Sequence, residues 1–247
     1  MCEAEATSRE HVPPKCIFPQ RKDFGANLRR DLITVPACDV HNLRKSKDDE
    51  FLLICVAGVI GNNSIGYRHN QTKVSRAMRR SAGRLLDTMF TSRRHVRLGA
   101  GENKFFDVII GTPHYARLER CFDSVARGLY HRTFRARFNG CTRLMMGHLH
   151  RPKGNAATFT DFIRHRAEID LHDGPRVGRN PEVFFHQFVK PDEFGLIMLR
   201  MCFYGGVDIY VSFIPAGVKI PGNLAIELID RGIETHFRIE GKDYRFN

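Results

Sequence analysis

The sequence predicts an α+β chain: a small N-terminal module of short strands and one helix, then a larger mixed α/β domain with basic helices that closes on a C-terminal β-hairpin. Three observations point there. The first 60 residues alternate proline-punctuated polar segments with one dense apolar run, Phe51-Leu52-Leu53-Ile54-Cys55-Val56. The middle of the chain sets apolar residues at helical spacing inside arginine-rich segments. Near the C-terminus, Phe194–Tyr204 and Val207–Ile214 are rich in β-branched and aromatic residues and flank Gly205-Gly206, a good hairpin signal.

Each element follows from local chemistry. Pro13, Pro14, Pro19 and Pro36 break residues 1–37 into loop and short strand, with Leu32-Ile33-Thr34-Val35 as a brief strand. A helix is expected to start near Asp39, which caps it, and to run through Val40–Val59 with Gly58 only near its end. Residues 61–72 (GNNSIGYRHNQT) are turn-rich and suit a linker, which sets domains at 1–60 and 61–247. Lys73–Phe90 reads as a basic helix with Val74, Met78, Leu85, Leu86 and Met89 on its apolar side. Phe105–Ile110 reads as a strand, and Pro113–Tyr130 as a second helix with Leu118, Cys121, Phe122, Val125 and Leu129 at helical spacing. Residues 139–180 read as irregular and polar.

Composition narrows the function classes. With 42% hydrophobic residues in 247, the chain can build a real core. Its longest apolar runs, Phe51–Ile60 and Val207–Ala216, are too short to span a bilayer, so no membrane partner is expected. The N-terminus lacks the layout of a signal peptide, and the chain reads as cytoplasmic. Seven irregularly spaced cysteines then suit thiols or metal ligands better than a disulfide framework. The net charge of +12 is concentrated: residues 61–160 carry 19 basic and 5 acidic side chains, whereas residues 1–60 carry 9 of each. Such a block attracts phosphate backbones by counterion release. A solvated basic surface or an acidic protein partner would carry the same charge.

The segment Ser8–Glu50 holds the densest chemistry. Glu10-His11-Val12-Pro13-Pro14 is followed about twenty residues later by Asp31-Leu32-Ile33-Thr34-Val35-Pro36, and then by Cys38-x-x-His41-Asn42-x-x-Lys45-Ser46-Lys47-Asp48-Asp49-Glu50. Cutting a phosphodiester needs a base to take a proton from water and a divalent cation to offset charge growing on oxygen. It also needs groups that hold the strand. Glu10 and His11 supply a carboxylate and an imidazole, Asn42 an amide oxygen, and Lys45 and Lys47 phosphate contacts. In a regular strand Glu10 and His11 would point to opposite faces. Both serve one site only where the strand is bent or irregular.

In order and spacing these segments resemble the HNH (His-Asn-His, ββα-metal) endonuclease family, over roughly residues 1–55. The resemblance implies a ββα-metal module that hydrolyses phosphodiester bonds in nucleic acid, DNA favoured over RNA. It implies His11 as general base, and Glu10 and Asn42 as protein ligands of Mg2+ or another divalent cation. Position 31 matches the middle Asn of the family, which holds the His-bearing backbone in its productive pose. Here it is Asp31, which can accept backbone N–H bonds but cannot donate unless protonated.

Many members of that family also clamp the fold with two Cys-x-x-Cys pairs around a structural Zn2+. Cys38-x-x-His41 matches the second pair, since Zn2+ takes imidazole as well as thiolate. Cys2 stands where the second cysteine of the first pair would fall, so Cys2, Cys38 and His41 offer three ligands. An ordinary helix-entry pair is the alternative reading of Cys38 and His41. Downstream, Arg76–Arg97 and Arg127–Arg137 interleave basic with apolar or aromatic residues, and Arg76, Arg79, Arg80, Arg93 and Arg94 are candidate nucleic-acid contacts. Two amphipathic helices with solvated basic faces would look the same. His148 and His150 invite a metal reading, with loop histidines as the alternative. Two further functions fit the same residues: a non-catalytic nucleic-acid-binding protein on a degenerate HNH scaffold, and a structural zinc module joined to a protein-interaction domain.

Overall fold

A two-stranded antiparallel sheet opens the chain: β1 (Ser8–His11) pairs with β2 (Thr34–Ala37), placing Glu10 opposite Val35 and His11 opposite Thr34. The structure is a computed structural model. It describes residues 6–38, 45–81, 84–99, 105–146, 161, 164–165, 167–172, 174–192, 195–218, 235–239 and 242–246, with the main chain alone at 98, 105–108, 235–239 and 242–246. It is a mixed α+β fold whose strands pair antiparallel. No helix among the described residues is long and apolar enough to cross a membrane.

The chain divides into two compact units. The first comprises Met1–Arg137, Gly178–Phe184 and Phe203–Gly206; the second comprises Phe138–Val177, Phe185–Cys202 and Val207–Asn247. After β1 the first unit makes a 3-10 turn (Lys15–Ile17) and a short helix α1 (Arg21–Phe24). The chain then turns through Asp31, whose φ of 51° is left-handed, a conformation that Asp and Asn adopt more readily than other side chains. That turn delays β2 to Thr34, two residues later than the sequence suggests.

Helix α2 (Ser46–Ala57) follows, and every residue from Phe51 to Ala57 is buried. A helix that is apolar all round needs cover on all sides. Helix α6 (Tyr115–Phe134) supplies part of it with Leu118, Cys121, Phe122, Val125, Ala126 and Leu129, all buried. The five apolar positions expected at helical spacing are therefore its core face, and the helix runs a turn longer than expected, to a left-handed cap at Arg135 (φ 57°). Arg117 ties the two helix starts together: its Nε donates to Asp48 Oδ1 at 2.7 Å, and its guanidinium stacks 4.3 Å from the Phe51 ring. The start near Asp39 expected for α2 lies outside the described residues.

The presumed linker is helical. α3 (Ser64–His69) begins where the Asn63 side chain accepts from the Ile65 and Gly66 amides, both at 3.1 Å, so an asparagine that looks like a turn residue is a helix cap. A π-turn (Asn70–Val74) leads into α4 (Ser75–Arg80). The single helix expected over Lys73–Phe90 is interrupted at Ser81, whose hydroxyl donates to the Met78 carbonyl at 2.9 Å and accepts from Leu85 N at 3.4 Å. α5 (Arg84–Met89) resumes, and Phe90 opens a strand instead of closing a helix. That strand, β3 (Phe90–Gly99), pairs with β4 (Phe105–Pro113) in a sheet of two strands.

Residues 139–180 are less irregular than expected, since they contain β5 (Gly140–Met145) and β6 (Val177–Asn180). With β7 (Phe184–Phe188), β8 (Ile197–Phe203) and β9 (Val207–Pro215) they form a sheet of order β5-β9-β8-β7-β6. Leu199, Met201, Ile209, Val211 and Phe213 are buried, and Leu171, Ala167 and Tyr210 form a further apolar cluster. The predicted β8–β9 hairpin is present, with its turn one residue earlier than Gly205-Gly206. Tyr204 (φ 49°) and Gly205 (φ 68°) occupy the two left-handed positions of a primed turn, and Gly206 N donates to the Phe203 carbonyl at 3.2 Å. Gly206 serves close approach instead: a Cβ there would stand 2.3 Å from the Gly61 carbonyl oxygen. A last ribbon, β10 (Thr235–Ile239) with β11 (Lys242–Phe246), was not anticipated.

Candidate active site

The start of α2 meets the end of β1. Lys45, the residue before the first turn of α2, donates through Nζ to Glu10 Oε1, and both side chains are mostly buried. Asp49 stands one turn further along α2, and its Oδ1 is buried with no hydrogen-bond partner. Burial pushes the Asp49 carboxyl up to about 6; Lys45 opposes this, while the negative charges of Glu10 and Asp48 reinforce it. The Cys16 thiol donates to the Asp49 carbonyl at 3.2 Å, and Lys73 Nζ donates to the Cys16 carbonyl at 3.1 Å, so the helix start is held against the loop that follows β1. Glu10, Lys45 and Asp49 thus share one partly dry, charged neighbourhood.

His11 ends β1 and is partly exposed. Burial, and then Lys15 and Arg29, hold its imidazole below the ordinary histidine value, against the pull of Glu10. A ring held that way is neutral at pH 7 and able to accept a proton. The backbone beyond it is tied to the residue before β2 by a main-chain bond from Val12 N to Ile33 O at 2.9 Å. Asp31 sits exposed in the preceding turn, and among the described residues its side chain makes no hydrogen bond to β1. On the α6 side, Gly128 faces Val12 so closely that a Cβ there would lie 2.9 Å from Val12 Cγ2.

Asn42, His41 and Cys2 lie outside the described residues. Cys38 is half-buried one residue past β2. Among the described residues no group of three or more His, Cys, Asp or Glu side chains is arranged to hold a metal ion. The Glu10 carboxylate and the orphaned Asp49 Oδ1 are electrostatic neighbours, and oxygen donors of this kind suit Mg2+ or a similar ion. Sequence reasoning passed over Asp49. Its signal was an acidic residue four places after Lys45, on the same face of a helix that starts at the site.

The candidate phosphate contacts fall into two groups. Lys45 is engaged by Glu10, Arg76 is held by Asp23 through two bonds of 3.0 and 2.8 Å, and Arg93 pairs with Asp87 at 2.7 Å. Lys47, Arg79, Arg80 and Arg94 are exposed. Arg93 and Arg94 lie on β3, beyond the helix expected over Lys73–Phe90. A cleft of about 450 Å³ opens beside the β1–β2 pair, lined by Arg9, Thr34, His131, Arg132 and Arg135 among others and by no carboxylate. Arg9, in the same cleft, donates through Nε to Thr34 Oγ1 at 3.1 Å. His148 and His150 lie outside the described residues. No family model, curated protein or solved structure matches the chain.

Proposed function

We propose that this chain is a metal-dependent endonuclease of the HNH type, acting on nucleic acid with DNA favoured over RNA. The observation that carries the reading is the junction of β1 and α2. The Glu10-His11 pair ends a strand that is paired antiparallel with a second strand, and the helix after that second strand starts against Glu10. This is the strand–strand–helix order that the sequence resemblance implies.

In this reading His11 is the general base. Its depressed basicity keeps it neutral and ready to take a proton from the attacking water. Glu10 and Asn42 hold a divalent cation, and Asp49 adds a carboxylate in reach of the same charge. When bound, the cation stabilises negative charge on the phosphate oxygens and the leaving oxygen. Lys45 neutralises Glu10 through their ion pair, and Lys47 faces solvent where a phosphate can reach it. The cleft lined by Arg9, Arg132 and Arg135 supports the strand on one side of β1. A structural Zn2+ would draw on Cys38 with Cys2 and His41, through thiolate and imidazole.

Nicking of supercoiled plasmid in Mg2+ or Mn2+ tests the reading. The wild-type chain should convert supercoiled to open-circular DNA only with metal, and His11→Ala should abolish conversion.

A second reading has its own support. Among the described residues Asp31 makes no side-chain bond that would orient the His11 strand, and Lys45 pairs with Glu10, as a binding protein on a degenerate scaffold would show. That reading predicts salt-sensitive DNA binding with no metal-dependent cutting.

A further inference from the structure

β3 is exposed on both faces. Thr91, Ser92, Arg93, Arg94 and His95 are consecutive and all exposed, and Arg97 and Gly99 are exposed as well. Neighbouring side chains in a strand alternate between faces, so over this stretch neither face of β3 packs on a core. Among the described residues the strand pairs with β4 alone. The ribbon is anchored at its base, where His114 N donates to the Met89 carbonyl at 3.2 Å and a Cβ at Gly111 would strike the Phe90 ring at 2.5 Å. Beyond the base, pairing runs without a break from Ser92↔Thr112 to Gly99↔Phe105. At about 3.4 Å per residue that is a projection of roughly 25 Å.

The exposed part of β3 carries three arginines, one histidine and no acid. By alternation Arg93, His95 and Arg97 share one face, and Arg94 lies on the other. Arg93 pairs with Asp87, in a contact exposed enough to be exchanged for a phosphate. Arg94 has no ion-pair partner among the described residues. A bare strand edge invites pairing with a second copy of the chain, but a row of like charges opposes that pairing and favours a polyanion.

We infer that the β3–β4 ribbon is an arm that lies in the major groove of duplex DNA, with Arg93, Arg94 and Arg97 on the phosphates and base edges. The inference rests on the nucleic-acid reading above and narrows it to a double-stranded, B-form partner. The B-form major groove is about 12 Å wide and admits a two-stranded ribbon. The A-form groove of duplex RNA is too deep and narrow, and a single strand has no groove to fill.

Fluorescence anisotropy in EDTA, where cutting is blocked, tests it with three labelled probes of one sequence: a 20-base-pair DNA duplex, the matching RNA duplex and the DNA single strand. The wild-type chain should bind the DNA duplex most tightly. The triple variant R93Q/R94Q/R97Q should lose on the order of tenfold on that probe and less than about threefold on the others, with a salt dependence shallower by roughly 2.7 in log–log slope for three phosphate contacts. Arg94→Gln alone, which breaks no ion pair, should lose about threefold on the DNA duplex and leave thermal stability unchanged. Equal loss on all three probes, or DNA-duplex binding within twofold of wild type, overturns the inference. So does a wild-type dimer in sedimentation that the triple variant dissociates. A wild-type chain that does not cut with metal, or a His11→Ala chain that still cuts, would sink the HNH-nuclease reading with His11 as base and leave the ribbon result standing; unchanged binding by the ribbon variants would do the reverse.

Discussion

Lys45 donates to Glu10 across the junction of α2 and β1, so the carboxylate proposed as a metal ligand is held by an ammonium group. A cation arriving at Glu10 must displace that contact. Lys45→Ala should therefore tighten Mn2+ binding by roughly fivefold, the equivalent of about 1 kcal/mol for a partly exposed ion pair. Isothermal titration with Mn2+ measures it. Unchanged or weaker binding in the variant would show that Glu10 is not a metal ligand.

Asp49 sets a pH dependence of stability. Its folded value of about 6 lies above the ordinary carboxylate range. The protonated form therefore contributes stability that is fully present below about pH 4 and lost as pH rises through about 6. Asp49→Asn should be more stable than wild type above pH 6, by on the order of 1 kcal/mol once solvent screening is allowed for, and equal to it below pH 4. Urea melts at pH 4 and pH 7.5 decide the matter.

His69 works with the opposite sign. It is fully buried, its Nδ1 lies 3.1 Å from the Tyr204 hydroxyl, and burial pulls it down to about 4. Its neutral form contributes stability that is complete above the unfolded value near pH 6.5 and lost as pH falls through about 4. Replacing it with Gln should flatten the acid side of the stability curve without abolishing the slope, because His186 is depressed to about 4 in the same way. Tyr204→Phe removes the hydroxyl that donates to the Ile17 carbonyl and contacts His69. That change should cost about 1–3 kcal/mol at pH 7, the range for stranding buried hydrogen-bonding groups.

Gly128 links the interior to the site. A methyl group there meets Val12, the residue after His11, at 2.9 Å, and a β-branched side chain has little freedom to yield. Gly128→Ala should lower cleavage on the order of tenfold while lowering the unfolding free energy in urea melts by no more than about 1–3 kcal/mol, the usual cost of overpacking. Full activity in this variant would mean that the position of the His11 backbone does not matter.

These residues also show what the sequence makes legible. The core face of α6 was readable because Leu118, Cys121, Phe122, Val125 and Leu129 repeat at helical spacing and burial follows that period. The β8–β9 hairpin was readable from its glycines, although Tyr204 takes a left-handed position that composition assigns to Gly206. Its hydroxyl is held by a residue 187 positions away, which local patterning does not register. Asn63 was hidden by a turn-rich setting, since a cap and a turn favour the same residue. Arg93 and Arg94 were given no element because charge dominates their segment, whereas pairing with β4 is a tertiary choice. The Glu10-His11 pair stood out from its neighbours, but the Lys45 contact and the orphaned Asp49 oxygen exist only once α2 is docked.

The most direct trial compares wild type, His11→Ala and Glu10→Ala on supercoiled plasmid with and without Mn2+. The account predicts metal-dependent open-circular product from wild type and none from either variant, with all three proteins equally folded by circular dichroism. Product from His11→Ala at the wild-type rate, or no metal-dependent product from the wild-type chain, would contradict it.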